Sequence, residues 1–224
     1  MWYINFTKKS LCLILYLLTF LFISVKIYYY HKFYNGKVFV VLKNIIGKVL
    51  VTEEEIAEIV SNVAAEINRD YLSEPKKLII VSVLKGAMPF TTDLMKKLNV
   101  VHELECVRVS SYGSGTESSG EIRMLLDFDR DDFADCNFII VEDIVDSGNT
   151  LSYLVEHLKN RGASSVKTCT LLDKPSRRKV AFTPDYVGRV IPDEFVFGYG
   201  LDLFEQYRNL PYVAVVNPEY LKNV

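Results

Sequence analysis

Cysteine is scarce in this chain of 224 residues, and its four copies lie far apart, at Cys12, Cys106, Cys136 and Cys169. No two of them form a Cys-x-x-Cys pair, which argues against a zinc site. Their spacing does not suggest the disulfide framework of a secreted protein, so buried and reduced thiols are expected. The chain also lacks the Gly-x-x-x-x-Gly-Lys-(Ser/Thr) pattern, which disfavours a P-loop nucleotidase.

The first 44 residues contain no Ala, Asp, Glu, Arg, Gln or Pro, and they are rich in Leu, Phe, Tyr, Ile and Lys. Every acidic residue lies at Glu53 or beyond, whereas seven of the 26 basic residues precede it. The body of the chain therefore carries 28 acidic against 19 basic residues, a net charge of −9. Because nucleic-acid affinity rests on neutralising phosphates, a body this acidic is a poor general binder of nucleic acid.

Residues 11–25 carry no charge, and lysines flank them on both sides. A membrane-spanning helix needs about 20 apolar residues, so a stretch of about 15 is ambiguous. The bulky residues 27–31 do not resemble the cleavage site of a secretory signal. Two interpretations remain: a membrane anchor, or translated upstream sequence that is absent from the native protein. We favour the second, and we predict an apolar extension over residues 1–44 and a folded domain over residues 45–224.

Apolar periodicity in the body predicts an α/β fold. Thr52 and Glu55 form a capping-box pattern, and apolar residues follow at helical spacing as far as Ile67. Short apolar runs then alternate with helical patterns, which predicts βαβ units and a central, mainly parallel sheet. We interpret three later strands as a small appended lobe. The predicted sheet strands are 78–84, 102–109, 137–142 and 166–172, and those of the lobe are 187–190, 195–197 and 213–216.

The strongest functional signal lies in residues 138–150. A buried strand there is predicted to end in two adjacent carboxylates, Glu142 and Asp143, before a short loop and the start of a helix. Ligands of open α/β sheets bind beyond the carboxyl ends of the strands, and the amides of a helix start favour an anion. Each feature alone fits an ordinary strand-turn-helix. Together they predict a phosphate site whose carboxylates bind ribose hydroxyls or a hydrated Mg²⁺.

The run Glu142-Asp143-Ile144-Val145-Asp146-Ser147-Gly148-Asn149-Thr150 resembles the phosphoribosyl pyrophosphate signature of type I phosphoribosyltransferases. The resemblance implies their fold, an α/β arrangement in which helices flank a central mainly parallel sheet, with a small hood lobe and a mobile lid loop. It implies that Glu142 and Asp143 face the ribose hydroxyls and a metal ion. The 5′-phosphate is then held by the loop that consists of Asp146, Ser147, Gly148, Asn149 and Thr150.

Four further motifs resemble those of hypoxanthine-guanine phosphoribosyltransferases, and the resemblance extends from about Ile45 to the C-terminus. They are Leu84-Lys85-Gly86, the Ser/Gly-rich loop around Ser111-Tyr112, residues 171–178 and residues 195–202. The resemblance implies that Lys174 donates to the purine O6, that Phe195 stacks on the base and that the Val196 backbone reads its edge. Asp202 is implied beside the purine, as the ligand of a second metal. The resemblance also implies that pyrophosphate is bound by Lys85, Gly86 and Arg208. It places Ser111 and Tyr112 in the lid.

These resemblances imply a purine-salvage enzyme that transfers the phosphoribosyl group of phosphoribosyl pyrophosphate to hypoxanthine or guanine. Asp146 is the expected general base, Mg²⁺ the expected cofactor, and a homodimer or homotetramer the expected assembly. No nucleic-acid partner is expected, and membrane contact is expected only if residues 11–30 belong to the native protein. The expected location is the cytoplasm, or a membrane-anchored form whose catalytic body faces the cytoplasm.

Two other functions stay open on the sequence. One is a non-catalytic regulator that senses phosphoribosyl pyrophosphate and binds nucleic acid, and the other is a transferase that prefers xanthine or a pyrimidine. The intact Asp146, the Leu84-Lys85-Gly86 loop and the acidic body argue against the regulator. Lys174 with Phe195 favours a 6-oxopurine, but these residues do not rank hypoxanthine, guanine and xanthine.

Overall fold

The computed structural model describes residues 44–111 and 122–222, which contain a six-stranded sheet and a three-stranded sheet. In the larger sheet the order is β4-β3-β2-β5-β6-β7, and every neighbouring pair is parallel except β3 and β4. The smaller sheet has the order β1-β9-β8. The strands are β1 (Ile46–Val51), β2 (Lys77–Val83), β3 (His102–Ser111), β4 (Ile122–Leu126), β5 (Cys136–Val145), β6 (Ser165–Asp173), β7 (Tyr186–Val190), β8 (Val196–Phe197) and β9 (Val213–Val216).

The helices are α1 (Glu53–Tyr71), α2 (Met88–Met95), α3 (Asn149–Asn160) and α4 (Pro218–Leu221). The capping box predicted for α1 is confirmed: the Glu55 amide donates to Thr52 Oγ1 at 3.2 Å, and the Thr52 amide donates to Glu55 Oε2 at 2.8 Å. The apolar residues predicted for one helical face are buried, from Ile56 to Ile67.

Two hydrophobic cores cover the two faces of the large sheet. Because side chains alternate along a strand, β2 sends Leu78 and Ile80 into the core that contains α1 and α2, and Ile79 and Val81 into the core that contains α3. The central strand β5 divides its apolar residues in the same way. A strand that is buried on both faces explains the uninterrupted apolar runs in the sequence, and the predicted mainly parallel α/β fold is confirmed.

Three strand predictions need correction. Residues 187–190 belong to β7, which extends the large sheet beside β6, so the interpretation of an appended lobe was wrong for this strand. The β4 strand, which pairs antiparallel with β3, was not predicted. The predicted end of β5 at Glu142 was too early, because pairing with β6 continues as far as Val145 and Asp173.

The chain divides into two compact units, Lys48–Val216 and a smaller one made of the segments up to Gly47 and from Asn217 onward. In the smaller unit the Asn217 amide donates to the Ile45 carbonyl at 2.7 Å, and the Asn217 side chain caps α4. Residues 1–43, for which an anchor or translated upstream sequence was considered, lie outside the described residues. In the part of the chain that the structure describes, no helix is long and apolar enough to cross a membrane.

Candidate active site

The predicted phosphate loop connects the end of β5 to the start of α3. Gly148 is the N-cap of α3 and has a φ of 83°, a left-handed conformation that glycine adopts without steric cost. The loop surrounds a cavity of about 90 Å³ that is lined by Glu142, Ile144, Val145, Asp146, Ser147, Gly148, Thr150 and Leu151. A cavity this small at the start of a helix suits a single phosphate group, because the first helical amides point toward it.

Arg178 supports this loop from beneath. Its Nη1 donates to the carbonyls of Val145 at 3.0 Å and Asp146 at 2.6 Å, and its Nε donates to the Phe182 carbonyl at 3.1 Å. Its Nη2 pairs with the buried carboxylate of Asp173. No role for Arg178 followed from the sequence, because a basic residue in a polar segment gives no sign of the strand ends that it will contact.

Close packing also explains why residue 148 is glycine. A Cβ atom there would lie 2.9 Å from Cδ of Arg178 and 3.2 Å from Cβ of Phe182. A side chain at this position would therefore push the loop away from the group that supports it, in addition to straining the positive φ.

Lys174 pairs with Asp146, a residue that lines the phosphate cavity. Lys174 follows β6 directly, and its amide donates to the Val145 carbonyl at 2.9 Å. Its side chain is only 8% exposed, and Nζ lies 3.4 Å from Oδ1 of Asp146, whose own side chain is half exposed. A buried cationic donor thus stands beside a carboxylate that solvent or a ligand can reach.

Glu142 and Asp143 lie within β5 and not at its end as predicted, so they point to opposite faces of the strand. Glu142 lines the phosphate cavity, and its Oε2 is buried without a hydrogen-bond partner among the described residues. Burial raises the pKa of Glu142 well above its usual range, and the neighbouring Asp143 adds to the shift. A buried carboxylate oxygen without a hydrogen-bond partner is expected to bind a hydroxyl donor or a cation from a ligand.

Asp143 faces the loop after β2. Its Oδ1 accepts a hydrogen bond from the Ile144 amide at 2.8 Å, and a Cβ added to Gly86 would lie 1.6 Å from its Oδ2. Burial raises the pKa of Asp143 to about 6, although the Ile144 hydrogen bond and Arg208 act in the opposite direction. The carboxylate therefore requires a glycine at position 86.

The residues predicted to bind pyrophosphate come together around the loop that follows β2. The Leu84–Lys85 peptide bond is cis, and a Cβ added to Gly200 would lie 1.9 Å from the Gly86 carbonyl oxygen. Arg208 Nη1 donates to the Gly200 carbonyl at 2.8 Å, and its Nη2 lies 2.7 Å from Oδ1 of Asp202. The segment after β8 thus places Arg208 and Asp202 against the loop that contains Lys85 and Gly86.

Glu205 is a charged member of this group that the sequence analysis missed. Its Oε2 accepts a hydrogen bond from Lys85 Nζ at 2.6 Å, and its Oε1 lies 3.5 Å from Nη2 of Arg208. Its amide donates to Asp202 Oδ2 at 2.9 Å. Only the fold brings the two segments together, since Lys85 and Glu205 are 120 residues apart in sequence.

The remaining predicted residues have diverse surroundings. The Phe195 side chain is 54% exposed, which leaves its ring available for stacking, while Val196 is buried in β8 opposite Val215. Ser111 is the last residue of β3, and Tyr112 lies outside the described residues. Across residues 44–111 and 122–222, no three carboxylates, histidines or cysteines form a group that could bind a metal ion. Asp202, Glu142 and Asp143 are therefore not gathered into one protein-only cluster.

Comparisons with known proteins identify the family of this chain. The model of the phosphoribosyl transferase domain family matches residues 49–203. The chain is 48% identical to the hypoxanthine-guanine phosphoribosyltransferase of Bacillus subtilis, over 79% of this chain and 97% of that protein. A crystal structure of a hypoxanthine phosphoribosyltransferase from Staphylococcus aureus is similar, with a TM-score of 0.76 and 42% identity, over 80% of this chain and 96% of that one.

Similarity extends to part of a larger protein. The chain is 49% identical over 178 residues to the bifunctional protein TilS/HprT of Listeria innocua. The match covers 80% of this chain but only 27% of the Listeria protein, so the chain spans about a quarter of that relative.

Proposed function

The chain belongs to the phosphoribosyltransferase family, and we propose that it is a purine-salvage enzyme of the hypoxanthine-guanine type. It transfers the 5-phosphoribosyl group from phosphoribosyl pyrophosphate to hypoxanthine or guanine, with IMP or GMP and pyrophosphate as products. The observation that carries this proposal is the pairing of a buried Lys174 amine, at 3.4 Å, with the carboxylate of Asp146, which lines a phosphate-sized cavity.

The sugar donor is positioned by groups at three neighbouring loops. The backbone amides of Ser147, Gly148, Asn149 and Thr150 receive the 5′-phosphate at the start of α3, together with the hydroxyls of the serine and the threonine. The unpartnered Oε2 of Glu142 accepts from a ribose hydroxyl. Lys85, Gly86 and Arg208 receive the pyrophosphate, with two cations against its negative charge. This arrangement leaves the anomeric carbon between the leaving group and the base.

The purine is recognised by its O6 and its ring. Lys174 donates to O6, and the exposed ring of Phe195 stacks on the base while the backbone of Val196 contacts its edge. Asp146 takes the proton from N7 as the base attacks the anomeric carbon, with oxocarbenium character in the transition state. Lys174 Nζ lies 3.4 Å from Asp146 Oδ1, so it also keeps this carboxylate in place.

Magnesium fits the residues present, because Mg²⁺ prefers one or two carboxylates together with waters and substrate phosphates over an all-protein cage. We propose that Glu142 and Asp143 hold one ion and that Asp202 is a ligand of a second. The unpartnered, buried oxygen of Glu142 is the structural observation in favour, since burial of a carboxylate without a partner is costly. When bound, the ion would neutralise the charge that develops on pyrophosphate.

The lid around Ser111 and Tyr112 is proposed to cover the site and exclude water, which would otherwise hydrolyse the sugar donor. We also propose that the enzyme is a homodimer or homotetramer, which the mass from light scattering would test. A cytoplasmic location follows from the sugar donor, a cytosolic metabolite. A membrane-anchored form would need its catalytic body on the cytoplasmic side. The acidic body supports the absence of a nucleic-acid partner.

A spectrophotometric turnover assay on the full chain tests this function. Phosphoribosyl pyrophosphate and Mg²⁺ are supplied with hypoxanthine, guanine, xanthine or uracil in separate reactions. We expect magnesium-dependent turnover of hypoxanthine and guanine and none of uracil. A folded protein that binds the sugar donor and turns over no base would contradict the proposal and favour the regulator.

A further inference from the structure

The segment between Asp202 and Arg208 contains a turn whose backbone is unusual for its sequence. The amides and carbonyls of Leu203 and Gln206 pair with each other, both at 3.1 Å. The two residues between them, Phe204 and Glu205, have φ angles of 54° and 62°. Positive φ at both central positions is typical of a type I′ turn, which favours Asn and Gly and disfavours bulky residues.

Strain of this kind persists only where the surrounding structure enforces it, and it clusters at functional sites. Here the turn directs the Glu205 carboxylate to Lys85, with a distance of 2.6 Å between Oε2 and Nζ. The same carboxylate lies 3.5 Å from Nη2 of Arg208. The hydrogen bond from Lys85 holds the pKa of Glu205 below its usual range.

These contacts place an anion of the protein where an anion of the ligand is expected. The Glu205 side chain is 67% exposed and that of Lys85 is 48% exposed, so solvent or a ligand can reach the pair. Arg208 has a second partner in Asp202, at 2.7 Å. The arginine therefore keeps a counter-ion and its position when Glu205 moves away.

We propose that Glu205 is an internal competitor of pyrophosphate, which occupies Lys85 and Arg208 in the ligand-free protein and is displaced when pyrophosphate binds. This inference rests on the proposed function, in which the two cations bind pyrophosphate. Its consequence is that the product binds more weakly and leaves more readily than it would from bare cations. Product release limits turnover in many enzymes, so weaker binding at this point is useful.

The same contacts could instead position Lys85 and Arg208 for binding, and this role predicts the opposite change in pyrophosphate affinity. If Glu205 merely held Lys85 and Arg208 in their binding positions, its loss would weaken pyrophosphate binding. If it competes with pyrophosphate, its loss strengthens binding. The sign of the change therefore separates competition from positioning.

Isothermal titration calorimetry of the full-length protein with pyrophosphate and Mg²⁺ measures this sign. For Glu205→Gln we expect an affinity about two- to fivefold higher than that of the native protein, the size typical of an exposed ion pair. The difference should shrink at high ionic strength, because salt screens exposed charges. An affinity that is unchanged or lower would overturn the proposal.

Glu219→Gln is the matched control. It removes the same charge from another exposed Glu–Lys pair, in which Glu219 Oε1 lies 2.8 Å from Lys222 Nζ. Its pyrophosphate affinity should equal that of the native protein, and an increase as large as that of Glu205→Gln would show a general charge effect and overturn the proposal. IMP affinity reports on folding, because the 5′-phosphate binds the loop before α3, and we expect it unchanged in Glu205→Gln.

Lys85→Met separates failure of this inference from failure of the proposed function. Pyrophosphate affinity should fall when Lys85 is neutralised, whatever the role of Glu205. Unchanged affinity in Lys85→Met would remove the pyrophosphate assignment, and the competition proposal with it. A fall in Lys85→Met without a gain in Glu205→Gln would overturn the competition proposal alone.

Discussion

Arg178 offers the sharpest test of how the phosphate loop is supported. The side chain is 14% exposed, its partner Asp173 is 8% exposed, and three backbone carbonyls also accept from the guanidinium. In Arg178→Met the Asp173 carboxylate stays buried without its counter-ion. Removing one partner of a buried ion pair costs about 3–5 kcal/mol, so we expect a loss of this size in the free energy of unfolding.

Urea unfolding followed by far-ultraviolet circular dichroism is the suitable assay, because the single tryptophan, Trp2, lies outside the described residues. With a urea dependence of about 2 kcal/mol per molar, the midpoint should fall by about 2 M. The neighbouring Arg177→Met is the control. Arg177 is 59% exposed and pairs with Asp193 at 3.7 Å, so its loss should cost under about 1 kcal/mol.

A double variant identifies the cause of the loss. Adding Asp173→Asn to Arg178→Met removes the uncompensated buried charge, and at least about 1 kcal/mol of stability should return. The KM for phosphoribosyl pyrophosphate should still rise about tenfold or more, because the Asp146 carbonyl has lost its donor and the loop is free to shift. A loss under about 1 kcal/mol in Arg178→Met, or no recovery in the double variant, would show that the buried Asp173 charge does not depend on Arg178.

Three other predictions follow from the same geometry. Gly200→Ala should weaken pyrophosphate binding at least about tenfold in calorimetry, because the added Cβ would lie 1.9 Å from the Gly86 carbonyl oxygen. Gly162→Ala is the control: Gly162 also has a positive φ, 85°, but no atom lies near its Cβ position, so pyrophosphate affinity should not change. The pKa of Asp143 is raised to about 6 in the folded protein, so ionising this carboxyl group costs more there than in the unfolded chain. The free energy of unfolding should therefore fall as pH rises from about 4 to 6. In metal-free buffer, Asp143→Asn should thus be about 2–3 kcal/mol more stable than the native protein at pH 7 and equal to it at pH 4, and equal urea midpoints at pH 7 would contradict this. Phe195→Ala should lose about 1–3 kcal/mol of base affinity in binding titrations while the affinity for pyrophosphate is kept.

Local sequence patterns predicted the parts of the fold that depend on local causes. The start of α1 was predictable because Thr52 and Glu55 satisfy each other's backbone within a single turn. The continuous apolar runs likewise predicted strands buried on both faces. The β4 strand was missed because it lies at an edge and is largely exposed, so its residues show little apolar alternation.

The end of β5 depended on a neighbouring strand. Glu142 and Asp143 looked like the polar end of a buried strand, yet β6 continues to pair with the backbone as far as Val145. Pairing with a strand that lies 20 to 30 residues later is a tertiary effect, which local propensity does not contain. The consequence for the site is large, because the two carboxylates become buried and their pKa values rise.

The site itself was predicted only in part. Motif resemblance selected Lys174, Asp146 and the phosphate loop, and the structure brings these residues together. It gave no role to Arg178 or Glu205, whose importance lies in partners that are distant in sequence. The turn at Glu205 was also unpredictable, because neither of its central residues is the Asn or Gly that marks such turns.

Asp146→Asn tests whether Asp146 accepts the purine proton beside Lys174. Steady-state turnover of hypoxanthine by the full chain is measured together with the affinity for IMP. We expect kcat to fall by about a hundredfold or more, the usual contribution of a general base, while IMP affinity changes by less than about threefold. Near-normal turnover in Asp146→Asn, with IMP binding intact, would show that Asp146 is not the general base.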